Sequence, residues 1–266
     1  MSKRPDDVLT GRILVALDSS VEAEAAIEAA AALAAESRAE LLGLFIENAE
    51  LLRLAGLPFA AEIGYGTPGV RRLDRESLQR TLQAQAEQAR RALAEAANRL
   101  RLQWSFQVAR GQSAPLALAA AGECDVLMIR FAGRAPRASA GLRRGAARAA
   151  SRATMVVLDG TPSCDRAVAT AVRLAAASDD GLVALVAAPD ARTAASMRER
   201  VAQLQPQLNI ECLHCDAPVR DANDLLKAVR QRQPKALVIN RDSPLLSGEN
   251  LAALTDRLDC PLLLVR

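Results

Sequence analysis

The sequence predicts an α/β protein built on open parallel sheets, and three observations carry that prediction. Short apolar runs alternate with amphipathic helical stretches along the chain, the order required by parallel strands covered by helices. Runs such as Arg12–Leu17 (RILVAL) and Thr154–Leu158 are apolar almost throughout, as suits strands buried on both faces. The chain also repeats itself: shifted by 141 residues, Ile13–Ile46 superposes on Thr154–Ala187 without a gap, with 11 of 34 positions identical. Four of those identities are Ala on Ala and say little in so Ala-rich a chain, so the weight falls on pairs such as Val15/Val156, Leu17/Leu158 and Asp18/Asp159. Two tandem domains are expected, 1–152 and 153–266, each an open parallel sheet of strand order 3-2-1-4-5.

Each element has its own signal. Arg12–Leu17 is the first strand. Ser19-Ser20-Val21-Glu22 then offers a capping box, in which a serine caps the helix and the glutamate reaches back. An Ala-rich helix runs to about Ser37, and Glu40–Ile46 reads as the second strand. A long helix over Asp74–Leu100 carries Leu78, Leu82, Ala86, Ala89, Leu93 and Leu100 on one stripe. Gln103–Ala109 alternates like a strand, Ala114–Ala121 is helical and Asp125–Ile129 is a buried strand. In the second half Thr154–Leu158 ends in Asp159-Gly160, and Thr161-Pro162 reads as a cap followed by proline at the first helical position. Cys124–Arg130 corresponds to Pro234–Asn240, and the last strand is Pro261–Arg266. The second half thus has five strands, whereas the first has four before Arg152. Either the first domain lacks its fifth, edge strand or the two domains share a segment.

Composition narrows the class. Of 266 residues, 50% are hydrophobic, 24% charged and 2% aromatic, with a net charge of +3. That mix excludes a disordered chain, a collagen and a disulfide-stapled miniprotein. No stretch reaches the roughly 18 apolar residues that span a bilayer, and MSKRPDDVLT has no apolar core for a secretory signal. The expectation is a soluble, cytoplasmic protein with no membrane partner. Cys124, Cys164, Cys212, Cys215 and Cys260 are scattered without framework spacing and read as reduced thiols.

His214 is the chain's one histidine, so a multi-histidine metal site is impossible within it. Cys212-Leu213-His214-Cys215 falls in a predicted strand, where alternation sends Cys212 and His214 to one face and Cys215 to the other. No metal site is expected from it. No nucleophile–base pair, metal cluster or P-loop can be assembled from the residues present, so the chain is expected to bind and not to catalyse.

In an open doubly wound sheet, ligands bind beyond the carboxyl ends of the strands where strand order reverses. Here that crevice lies between Asp18-Ser19-Ser20, leaving strand one, and Arg130–Gly145 (RFAGRAPRASAGLRRG), leaving strand four. An apolar first strand ending in Asp-Ser-Ser, an Ala-rich helix, a second strand ending Leu44-Phe45-Ile46-Glu47 and a glycine-bearing loop after strand four together resemble the universal stress protein family. The resemblance covers both halves. It implies a Rossmann-like fold of the adenine nucleotide alpha-hydrolase type, a homodimer, and ATP or another adenine nucleotide as ligand. In the family the nucleotide is held by the aspartate after strand one, a backbone group near the end of strand two and a Gly-x2-Gly-x9-Gly-Ser/Thr loop. Asp18 matches the first and Ile46 the second.

The loop departs from the family pattern. Gly133 takes the second glycine, but Arg130 occupies the first, Gly145 follows after eleven residues instead of nine, and Ala146 replaces the hydroxyl residue. A side chain at a glycine position obstructs the approach of backbone amides to phosphate oxygens. In compensation, Arg130, Arg134, Arg137, Arg143, Arg144, Arg148 and Arg152 lie between Asp125 and Asp159 with no acid among them. Guanidinium forks, Arg143 and Arg144 included, could hold an anion in place of the glycine nest; the alternative is a solvated loop. Nucleic acid is electrostatically conceivable, but so few aromatics argue against a single-strand stacking platform. In the second half, Asn240–Asn250 (NRDSPLLSGEN) keeps one glycine, Gly248, followed by Glu249, and no nucleotide is expected there.

Glu50–Arg72 is too apolar for a plain solvent loop. It either covers the crevice, contacts another protein chain, or folds back on its own domain. Two functions therefore compete: a sensor of an adenine nucleotide or phosphate anion, and an interaction module contacting its partner through Glu50–Arg72. A related ligase or pyrophosphatase would need a Ser-Gly-Gly-x-Asp-Ser loop after strand one, and Asp18-Ser19-Ser20-Val21 lacks the glycines.

Overall fold

The computed structural model describes residues 11–19, 23–57, 61–63, 70–72, 74–130, 153–178, 181–187, 190–208, 210–213, 219, 221–246 and 250–266. The first half contains β1 (Arg12–Leu17), α1 (Ala23–Ser37), β2 (Glu40–Asn48), α2 (Ala49–Leu54), a hairpin of β3 (Ala61–Ile63) and β4 (Val70–Arg72), α3 (Arg75–Arg99), β5 (Trp104–Gly111), α4 (Ser113–Ala120) and β6 (Val126–Arg130). The second contains β7 (Ala153–Leu158), α5 (Cys164–Ser178), β8 (Gly181–Val186), α6 (Ala191–Leu208), β9 (Ile210–Leu213), α7 (Ala222–Arg232), β10 (Ala236–Asn240), α8 (Asn250–Arg257) and β11 (Leu262–Val265).

The fold is α/β with a mostly parallel central sheet. Side-chain alternation explains the layers. Ile13, Val15 and Leu17 of β1 belong to the core on the side of α1, α3, α5 and α6, whereas Leu14 and Ala16 belong to that on the side of α4, α7 and α8. Every residue from Ile13 to Leu17 is buried, so β1 lies in the sheet interior, as its apolar run requires. α1 sits on the sheet between α3 and α5. Gly43 of β2 is needed for the same packing. A Cβ there would lie 2.6 Å from Phe106 and 2.8 Å from Leu93, which close over the strand.

Sheet order corrects one expectation. In place of two separate sheets ordered 3-2-1-4-5, one nine-stranded sheet runs β5-β2-β1-β6-β11-β10-β7-β8-β9. The fifth place beside β6 is filled from the chain's other end. β11 lies antiparallel to β6, with Val126 opposite Val265 and Ile129 opposite Leu262. β7 is not shared with the first half; it pairs with β8 and β10. Burial gives the reason: Val126–Ile129 and Leu262–Val265 are apolar on both faces, so each supplies the other with a covered edge.

Arg241 fastens the seam. Its Nη1 donates to the Ala121 carbonyl (3.0 Å) and its Nη2 to that of Cys124 (3.1 Å), while the Arg266 amide donates to the Asp125 carbonyl (2.9 Å). The expected long helix is α3, capped by Asp74, whose carboxylate accepts from the Ser77 amide at 2.8 Å. Leu82, Ala86, Ala89 and Leu93 are buried on its stripe, but Leu100 stands at the C-cap, exposed. Of the expected capping box only Ser19 lies within the described residues. Among those residues no helix is long and apolar enough to cross a membrane.

Candidate functional site

Strand register assembles the site. Leu17, the last residue of β1, lies beside Phe45 of β2 and Arg130 of β6. One residue further on, Asp18 therefore emerges between Ile46 and the end of β6 at the carboxyl edge of the sheet. The β1–β2 ladder stops at Leu17–Phe45, whereas β2 continues beside β5 to Asn48–Gly111. Ile46 thus stands past the end of the first ladder, its side chain 1% exposed. Asp18 and Arg130 are half-buried. Gly133, Arg143, Arg144 and Gly145 lie outside the described residues, as do all the other arginines of 131–152.

The rim of the crevice holds a pair that the sequence did not single out. Glu47 is buried at the end of β2 and accepts from Arg110 of β5, at 3.0 Å from Nε and 2.7 Å from Nη2. Next to it, Asn48 caps α2, its side-chain oxygen accepting from the amides of Glu50 (2.9 Å) and Leu51 (3.3 Å). The only signal available in sequence was an acid directly after the apolar run of strand two.

The equivalent place in the second half is stitched shut. Asp159, 6% exposed, accepts at Oδ1 from the Thr161 amide (3.0 Å) and hydroxyl (2.7 Å), and at Oδ2 from Asn240 (3.4 Å). Asn240 also bonds the Thr161 hydroxyl and accepts from the Asp242 amide at 2.7 Å; Ser163 donates to Asp242 at 3.1 Å. Gly160, at φ +81°, makes the turn beneath α6, where a Cβ would come within 2.7 Å of Thr193. Both oxygens of the aspartate and the side chain at the end of strand four are thus committed to one another.

Two thiols described here are poor nucleophiles. Burial pushes Cys164 up to about 11 and Cys260 up to about 12, so both stay protonated at neutral pH. Cys212 lies in β9; His214 and Cys215 lie outside the described residues. Among the described residues no group of His, Cys, Asp and Glu could hold a metal ion.

An open, largely parallel sheet with helices on both faces defines a doubly wound α/β class. Within it, the chain is similar to a universal stress protein from Archaeoglobus fulgidus DSM 4304, with 10% identity over 95% of this chain and 96% of that one and a TM-score of 0.53. A protein of Pseudomonas aeruginosa UCBPP-PA14, described as a universal stress protein, shares 14% identity over 98% and 94% of the two chains, with a TM-score of 0.46. At such identities the likeness is one of fold. No family model matches the sequence, and no curated protein matches it.

Proposed function

We propose that the chain is a non-catalytic, universal-stress-type binding protein whose first half senses an adenine nucleotide or phosphate anion, while its second half has lost that site. The observation that supports this reading is the register at β2, β1 and β6, which leaves Ile46, Asp18 and Arg130 at neighbouring strand ends. In this reading the carboxylate takes a sugar hydroxyl, the backbone takes the base, and Arg130 begins the cationic lip that Gly133, Arg143, Arg144 and Gly145 continue. The halves, 1–152 and 153–266, are duplicated units of which the second keeps its aspartate for structure, as the hydrogen bonds of Asp159 support. The protein acts in the cytoplasm in a stress or regulatory response.

Thermal shift against ATP, ADP, AMP and inorganic phosphate tests the reading. A ligand at about 100 times its dissociation constant should stabilise the fold by roughly 2.7 kcal/mol, and Asp18→Ala should abolish the response. A flat response across the series favours the second reading, an interaction module acting as a homodimer or on a protein partner through Glu50–Arg72. One observation supports that alternative: Leu54 is 54% and Leu57 39% exposed within this segment.

A further inference from the structure

We propose that β5 pairs antiparallel with β5 of a second copy of this chain across a two-fold axis at Gln107, joining two sheets edge to edge. This gives the homodimer of the second reading a surface, and it asks nothing of the nucleotide crevice. β5 is an edge strand, with β2 on one side and, among the described residues, no strand on the other. Its register with β2 is unbroken from Trp104 to Gly111, so no bulge twists the edge away, and neither proline nor lysine interrupts it. β9, at the opposite edge, offers only Ile210–Leu213.

The hydrogen-bond pattern fixes which backbone groups turn outward. The Gln103 carbonyl accepts from the Leu41 amide at 2.9 Å, so the odd-numbered residues of β5 direct their backbone groups to β2. The amides and carbonyls of Trp104, Phe106, Val108 and Arg110 therefore point away from the sheet. A two-fold axis at Gln107 sets Phe106 opposite the partner's Val108 and Trp104 opposite the partner's Arg110, and such facing residues exchange two hydrogen bonds per pair. The side chains agree with that register. Phe106 and Val108 make an apolar pair on each side of the axis, and Arg110, already matched by Glu47, brings no unpaired charge into the contact.

Exposed apolar surface favours the same arrangement. Among the described residues the exposed large hydrophobic side chains are Leu54, Leu57, Leu100 and Val108, the last 52% exposed. All of them border β5. Leu100 is the C-cap of α3, just ahead of the strand. Leu54 and Leu57 lie in α2 and the turn after it; α2 starts past Asn48, which stands beside Gly111 at the strand's far end, and it packs against both β5 and α3. Trp104 and Phe106 pack against the core on the α3 side, so alternation puts Val108 on that side too. An antiparallel partner reverses the ends, which brings Leu100 of one copy towards Leu54 and Leu57 of the other. Complementarity of one surface to itself under a two-fold axis is what a second copy requires of it.

Sedimentation velocity of the full chain without nucleotide, over a range of concentrations, tests the pairing. A particle of two chains is expected, and Val108→Lys, a change at an exposed position, should weaken association at least about tenfold while keeping the parent's circular dichroism. Hydrogen exchange on the parent chain supplies a readout that needs no variant: the amides of Phe106 and Val108 should exchange slowly where the dimer forms and fast on dilution. A parent chain that sediments as a monomer throughout would overturn the proposal and leave the nucleotide reading untouched. A dimer that Val108→Lys leaves intact, or one in which exchange at Phe106 and Val108 ignores concentration, would overturn it too and leave a homodimer through Glu50–Arg72 standing.

Discussion

Asp18 and Asp159 leave the first strand of their respective halves at the same position of the repeat, yet their neighbours differ. Asp159 is held by Thr161 and Asn240, the latter standing where the first half has Arg130. An asparagine can donate to the aspartate and accept from the next turn at once, which closes the gap between strand ends. The first half has Arg130 in that place, at the end of β6. Asp159→Ala should therefore destabilise the fold by about 1–3 kcal/mol, the cost of stranding buried donors, while leaving any nucleotide-induced shift intact. Urea unfolding with and without ATP measures both. Gly248-Glu249 led the sequence to predict no nucleotide in the second half, but the self-satisfied aspartate was not legible there, because Thr161 read only as a helix cap.

Among the elements, β2 shows what periodicity can and cannot deliver. Its apolar run located the strand, and Asn48 extends it past the expected end at Ile46 because β5 remains beside it as far as Gly111. Glu47 reads as polar and so as an end, yet Arg110 pairs with it and keeps it in the sheet. Gly43 carried no signal in sequence, although α3 and β5 close over it. Gly43→Ala should overpack this point at a cost of about 1–3 kcal/mol. The expected result is a lower urea midpoint with an unchanged slope; a variant as stable as the parent would show that Phe106 and Leu93 do not close over β2. The hairpin of β3 and β4 inside Glu50–Arg72 was not anticipated either, since strands of three residues leave too short a pattern.

For the molecule as a whole, the decisive feature is the join between β6 and β11. The sequence repeat predicted two similar halves, and strand counting left the first either without its fifth strand or sharing a segment with the second. Neither could place β11, because a strand apolar on both faces fits an interior position equally well parallel or antiparallel. Once joined, the halves share a buried edge, and Arg241 and Arg266 bind the turn after α4 from the far half. The chain should thus unfold as one cooperative unit. Trp104, the chain's one tryptophan, reports on the first half, and far-ultraviolet circular dichroism reports on both. Their urea transitions should coincide; a fluorescence transition well separated from the dichroism would mean that the halves unfold independently.

That asymmetric assembly leads to a simple stoichiometry for the proposed sensor. Equilibrium dialysis against ATP should find one nucleotide per chain, lost on Asp18→Ala and retained on Asp159→Ala. Two nucleotides per chain, none at saturating ATP, or one whose binding ignores Asp18 would contradict it.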